Sequence, residues 1–228
     1  MIILNEVPTI DFTMTKKSRL LFLLFVALFQ GAMGQTTADS ASINKVFSNL
    51  EEALQKPEDV FRLNLSNQKL VVSDSVWLKF PNLQYLSLKN DHLKQIPAGI
   101  GNLTNLRVLD LSGNDFKVLP SSFIGLVNLQ ELYLNDEKNF QLEKNIPVLS
   151  SLPSLKSLHL ENDGLKSLPS NIFQLSHLEA LYLNNNKFKK VPEQIKGIKS
   201  LQYVDIHENK LKLVPAGPGD NFGIRIRF

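Results

Sequence analysis

The feature that most constrains this chain is a self-similarity at a period of 23 residues. Residues 83–105 read LQYLSLKNDHLKQIPAGIGNLTN, and residues 106–128 read LRVLDLSGNDFKVLPSSFIGLVN. Leu83, Leu86, Leu88, Leu93, Ile96, Pro97, Ile100 and Leu103 return as Leu106, Leu109, Leu111, Phe116, Leu119, Pro120, Phe123 and Leu126. A fixed period of this size specifies a stack of like units, since one unit cannot bury its apolar side chains alone. Leu86 and Leu88 are two apart, which is strand periodicity and points both to one face. Pro97 falls where a strand would lose a donor, and it suits the start of a short helical turn. Ile100 and Leu103, three apart, then share one side of that turn. Each unit is a short strand, a bend and a compact return.

The step continues on both sides. A divergent unit begins at Val60 with Leu63, Leu65 and Leu70, and places Trp77 and Phe80 in the later core slots without the proline. Leu129 opens a fourth unit of 26 residues, followed by units at Leu155, Leu178 and Leu201. This tandem pattern resembles the leucine-rich repeat family in its short form with an L-x-x-L-P-x-x-I return. The resemblance covers about two-thirds of the chain, residues 60–214. It implies an α/β fold: a curved solenoid with a parallel β-sheet on its concave face, working by binding other macromolecules. The family normally carries asparagine at the ninth position, and here that position holds Gln68, Asp91, Asn114, Glu137, Asp163, Asn186 and Asn209. An amide there can donate to and accept from backbone groups at the bend, whereas an ionised carboxylate only accepts. Glu137 is also longer and opens the 26-residue unit, so irregularity is expected there.

The flanks read differently. Residues 1–34 hold Lys16, Lys17 and Arg19, then the apolar run LLFLLFVALF from Leu20 to Phe29, then Ala32-Met33-Gly34. This is the pattern of a leader cut near Gly34–Gln35, with Met14 a candidate start, and the run is short of the roughly 20 residues of a spanning helix. The expected location is therefore secreted or periplasmic, in the cell envelope; an uncleaved leader acting as an anchor is the alternative. Residues 35–59 comprise a polar linker and Ile43, Val46, Phe47, Leu50 and Leu54, whose spacing predicts an amphipathic helix capping the open solenoid end. Residues 215–228 comprise a Gly/Pro linker and the alternating Ile224, Ile226 and Phe228, which predict a closing strand.

Composition excludes several classes. The chain has 228 residues, no cysteine and a net charge of +3. Disulfides, thiol catalysis and thiolate metal sites are ruled out together. The charge is too small to argue for nucleic acid. Secreted eukaryotic members of the family usually carry cysteine caps, so their lack here points to a bacterial source. No spacing of His92, His159, His177 or His207 is distinctive of a metal or acid–base site, and no cofactor and no enzymatic activity are expected.

If the leucines point inward, the positions between them face the concave side. All four tyrosines lie there. The expected protein-binding face comprises Tyr85, Asp110, Glu131, Tyr133, His159, Glu161, Tyr182, Tyr203, Asp205 and His207, since tyrosine is enriched in interfaces. Aromatic residues also simply suit strand positions. Tyr133, His159 and Tyr182 share the fifth position of consecutive repeats and should form a row. A second register places Lys94, Lys117, Lys166, Lys189 and Lys212 at the twelfth position. This lysine edge could dock an anionic glycan or surface, or simply keep the edge soluble. The expected role is an exported module that binds a protein partner on its concave face. The alternative is an envelope-associated structural or adhesion protein gripping glycan through the lysines. No membrane span is expected once the leader is removed.

Overall fold

The computed structural model describes residues 43–212 and 223–228. The leader, the linker to Ser42, and the stretch holding Val214, Pro215 and the Gly/Pro segment lie outside those residues. The described residues form one nine-stranded, all-parallel sheet whose strands follow chain order. They are β1 (Val46–Phe47), β2 (Arg62–Asn64), β3 (Tyr85–Ser87), β4 (Val108–Asp110), β5 (Glu131–Tyr133), β6 (Ser157–His159), β7 (Ala180–Tyr182), β8 (Tyr203–Asp205) and β9 (Arg225–Arg227). Equivalent positions pair without slip, Leu63 with Leu86, Leu86 with Leu109 and so on to Val204 with Ile226. The result is a curved solenoid. Leu63, Leu86, Leu109, Leu132, Leu158, Leu181 and Val204 are all fully buried, forming a continuous inner ladder.

The returns are single 3-10 turns at Ala98–Asn102, Ser121–Gly125, Ser170–Gln174 and Glu193–Gly197. Proline stands one residue before each of these turns, one place earlier than predicted. The bend after each strand has a common backbone signature. The eighth position of every repeat has positive φ: Asn67, Asn90, Gly113, Asp136, Asn162, Asn185 and Glu208. Asn, Asp and Gly are the residues that enter this left-handed region at least cost.

The ninth position stitches neighbouring bends. Asn114 accepts from the amides of Asp91 and Leu93, and its own amide donates to the carbonyls of Leu88 and Leu111. Asp91, Glu137 and Asp163 reproduce the accepting half, taking the amides of Gln68, Asn114 and Glu137. The second carboxyl oxygen of each is buried without a partner. Burial accordingly pushes the Glu137 and Asp163 carboxyls up to about 8, and raises Asp91. A protonated carboxyl has the donor that asparagine supplies and a carboxylate lacks.

The irregularity expected at the 26-residue repeat is a real helix, α2 (Leu142–Ser150), in place of a 3-10 turn. Leu142, Ile146 and Leu149 fill its inner side. Pro147 within it has no N–H to give Glu143, and the Glu143 carbonyl accepts instead from Asn171 of the next repeat.

The N-terminal flank departs from expectation. The amphipathic helix predicted over Ile43 to Leu54 is interrupted: Ile43 and Asn44 are helical, Val46 and Phe47 pair as β1 with Arg62 and Leu63, and the helix resumes over Leu50–Ala53 as α1. Val46 and Phe47 are strand formers, and β2 would otherwise present an unpaired edge. Asn49 starts α1 by accepting from the Glu52 amide, and Leu50 and Leu54 pack on the core as their spacing demanded. The closing strand appears as predicted, with Ile224 buried and β9 paired to β8. Among the described residues no helix is long and apolar enough to cross a membrane.

Candidate functional site

The strand residues on either side of the inner leucine present two rows on the concave face, at the third and fifth positions of each repeat. The fifth-position row carries the main concentration of aromatic chemistry. The Tyr133 and His159 rings stack at 3.9 Å between centroids, and His159 and Tyr182 at 4.1 Å with a 5° interplanar angle. Tyr203 closes the strip edge-on to Tyr182 at 5.6 Å. The parallel strand spacing of about 4.8 Å produces this stack directly, since equivalent side chains one strand apart meet face to face.

Two carboxylates grip the histidine. Its Nε2 lies 3.0 Å from Glu131 Oε1, and its Nδ1 lies 3.2 Å from Glu161 Oε1. Tyr133 donates its hydroxyl to the same Glu131 oxygen at 2.7 Å. Burial disfavours the imidazolium, but these two hydrogen bonds and charges outweigh it and raise His159 to about 9. Glu131 is held below its ordinary value against burial by the same contacts. The centre of the face is thus a buried cation sandwiched between two tyrosines and clamped by two anions. His159 is only 7% exposed, so it organises the strip, while the half-buried Tyr133, Tyr182 and Tyr203 present its surface.

The other expected residues fall into separate groups. Asp110 pairs in register with Tyr133, and its Oδ1 accepts from the Ser112 amide. Tyr85 lies at the N-terminal end beneath the Arg62 guanidinium, 4.6 Å from its ring centre. Asp205 forms a second cluster, accepting from Arg227 at 3.0 Å and from the Tyr203 hydroxyl, with His207 Nδ1 beside it. Arg225 stands over the Tyr203 ring. Arginines therefore bracket the tyrosines at both ends of the sheet. The expected site left these arginines out; for Arg225 and Arg227 the available signal was their alternation with Ile224 and Ile226. No group of three or more histidines and carboxylates among the described residues is arranged to hold a metal. Lys94, Lys117, Lys166, Lys189 and Lys212 are all exposed, as an edge requires.

A "Leucine-rich repeat region" profile matches residues 63–160, and a "Leucine rich repeat" profile matches residues 153–211. The chain belongs to the leucine-rich repeat family. Among solved structures it is similar to that of a leucine-rich repeat protein of Leptospira interrogans, at 34% identity and a TM-score of 0.59. The match covers 75% of this chain and 49% of that one, so the present chain accounts for about half of that protein's length. No curated protein matches the chain closely enough to count. Leucine-rich repeat domains generally mediate protein–protein interaction and are typically non-enzymatic scaffolds.

Proposed function

We propose that this leucine-rich repeat protein is a non-catalytic, exported binding module that takes a protein partner on its concave face, centred on Tyr133, Tyr182 and Tyr203. The observation that carries the proposal is the stacked strip with its carboxylate rim at Glu131 and Glu161. Rigid aromatic anchors inside a polar rim are how interfaces concentrate affinity, and stacking freezes these rings before a partner arrives. The basic cluster, apolar run and small residues of segment 1–34 support the export part of the reading.

The test is a pull-down with the full chain, followed by affinity measurements on Tyr182→Ala and Tyr203→Ala. Loss of a hot-spot side chain costs about 2 kcal/mol, or roughly thirtyfold in affinity, and melting should stay near wild type. Full affinity in both variants would remove the concave strip from consideration. Mass spectrometry of natively exported protein should find Gln35 at the N-terminus, and an intact Met1 or Met14 would refute the cleavage site.

A further inference from the structure

We infer that the C-terminal part of the lysine edge is a binding site for a compact polyphosphate, a ligand presenting two or more phosphates within a few ångströms of one another. Lys166, Lys187, Lys189, Lys190 and Lys210 border a cleft of about 410 Å³. It is an open surface depression walled by lysine side chains. The cleft is separate from the concave strip, and the inference does not rest on the partner proposed for that face.

The cleft follows from repeat geometry. Lys166 and Lys189 hold the twelfth position of successive repeats, and Lys187 and Lys210 hold the tenth. Stacking at about 4.8 Å per strand sets the two columns side by side, with Lys190 adjoining them. The tenth position of the repeat below is Gly164. The Lys187 ammonium lies 3.5 Å from where a Cβ at Gly164 would sit, so the missing side chain leaves room for it.

No carboxylate among the described residues lies within ion-pairing distance of these five ammoniums; the lysine ion pairs are those of Lys45, Lys156 and Lys196. The N-terminal part of the same edge differs. There His92 faces Asp115, and the exposed Val71 stands at the twelfth position. Basic density is therefore local to the last three repeats rather than spread along the edge. Five like charges repel unless an anion sits among them. Lysines are strongly hydrated point charges without the planar fork of arginine, and several together can each engage a different phosphate oxygen.

Isothermal titration of the full chain with tripolyphosphate and with monophosphate, at matched low ionic strength, tests this. Tripolyphosphate should bind saturably and about tenfold or more tighter than monophosphate, and added salt should weaken it. The double variant K187A/K189A should lose about tenfold or more, while K94A/K117A, an equal charge change on the same edge, should bind as wild type. All four lysines are exposed, so melting should not move. Gly164→Asp gives an independent check: aspartate tolerates positive φ, and its carboxylate would pair with Lys187 and block the ligand. Competition by phosphatidic acid vesicles through the same lysines would assign the phosphates to a membrane surface, and its absence would assign them to a free polyphosphate. Equal losses in the two double variants, equal binding of mono- and tripolyphosphate, or binding of heparin with none of tripolyphosphate would each overturn the proposal. None of these outcomes bears on the tyrosine strip.

Discussion

The two regular repeats over 83–128 and the 26-residue repeat over 129–154 solve the same packing problem differently. In the regular pair the return is one 3-10 turn, and Ile100 or Phe123 fills the core from it. In the long repeat the three extra residues are absorbed as α2, and Leu142, Ile146 and Leu149 fill the equivalent space. Strand register is untouched: Leu109 still meets Leu132, and Leu132 still meets Leu158. An insertion on the return side therefore leaves the concave face in step. The regular repeats are tied to the preceding repeat by exposed side chains, such as Ser122 donating to the Ala98 carbonyl, whereas the long repeat uses a buried one. Asn145 is buried, accepts from the Leu119 amide, and donates to the carbonyls of Lys117 and Gln141. It ties α2 to the repeat before it.

The largest test of this comparison is paired core truncation. Leu109→Ala in a regular repeat should cost about 2–5 kcal/mol in chemical denaturation, and Ile146→Ala should fall in the same range. Both side chains are fully buried. A cost below about 1 kcal/mol at Ile146 would show α2 to be loosely applied rather than a substitute for the turn.

Asn145→Ala should cost about 1–3 kcal/mol, because it leaves buried backbone groups of the preceding repeat without partners. An unchanged urea midpoint would mean that those groups find other partners and that α2 needs no fastener.

The ninth position sharpens the comparison through pH. The regular pair has Asp91 and Asn114, whereas the long repeat has Glu137 facing Asp163 in the next. Both carboxyls stand near 8 in the fold, above the ordinary carboxyl range, so the native chain holds protons that the unfolded chain releases. That contribution is complete below about pH 4 and is lost as pH rises through about 8. His159 acts in the same sense between about 6.5 and 9. Thermal midpoints should fall from pH 5 to pH 9, and Glu137→Gln with Asp163→Asn should flatten the lower part of that fall. A midpoint that rises with pH would contradict the neutral-carboxyl assignment.

The smallest expected effect is at the bend. Glu208 holds the position that Gly113 and the asparagines hold elsewhere, at φ 54°. Glu208→Asn should stabilise by up to about 1 kcal/mol, read as a higher melting temperature. A loss of stability would indicate that its side chain is needed where it stands.

Much of this was legible in advance. The period gave the strands, the inner leucines, the parallel order and the place of irregularity, because each depends on spacing along the chain. The bend signature was equally readable: Asn, Asn, Gly, Asp, Asn and Asn at the eighth position announce positive φ, though the ninth position drew the attention. The predicted helix over Ile43 to Leu54 is interrupted at Val46 and Phe47 because these strand formers lie next to an open sheet edge. Local pattern cannot weigh an edge that exists only after folding.

What the sequence by itself determined is the ladder: which residues are inside, which face the concave sheet, and which repeat is longer. Only the tertiary structure decided the chemistry between repeats. Glu131 and Glu161 reach His159 from the strand before it and from two residues beyond it, and the balance of burial against two anions sets its charge. Lys187, Lys190 and Lys210 join Lys166 and Lys189 around one cleft because stacking brings different repeat positions side by side. Spacing along the chain fixes direction, whereas electrostatic character depends on distances across strands and on the exclusion of water, and both arise only when the repeats stack.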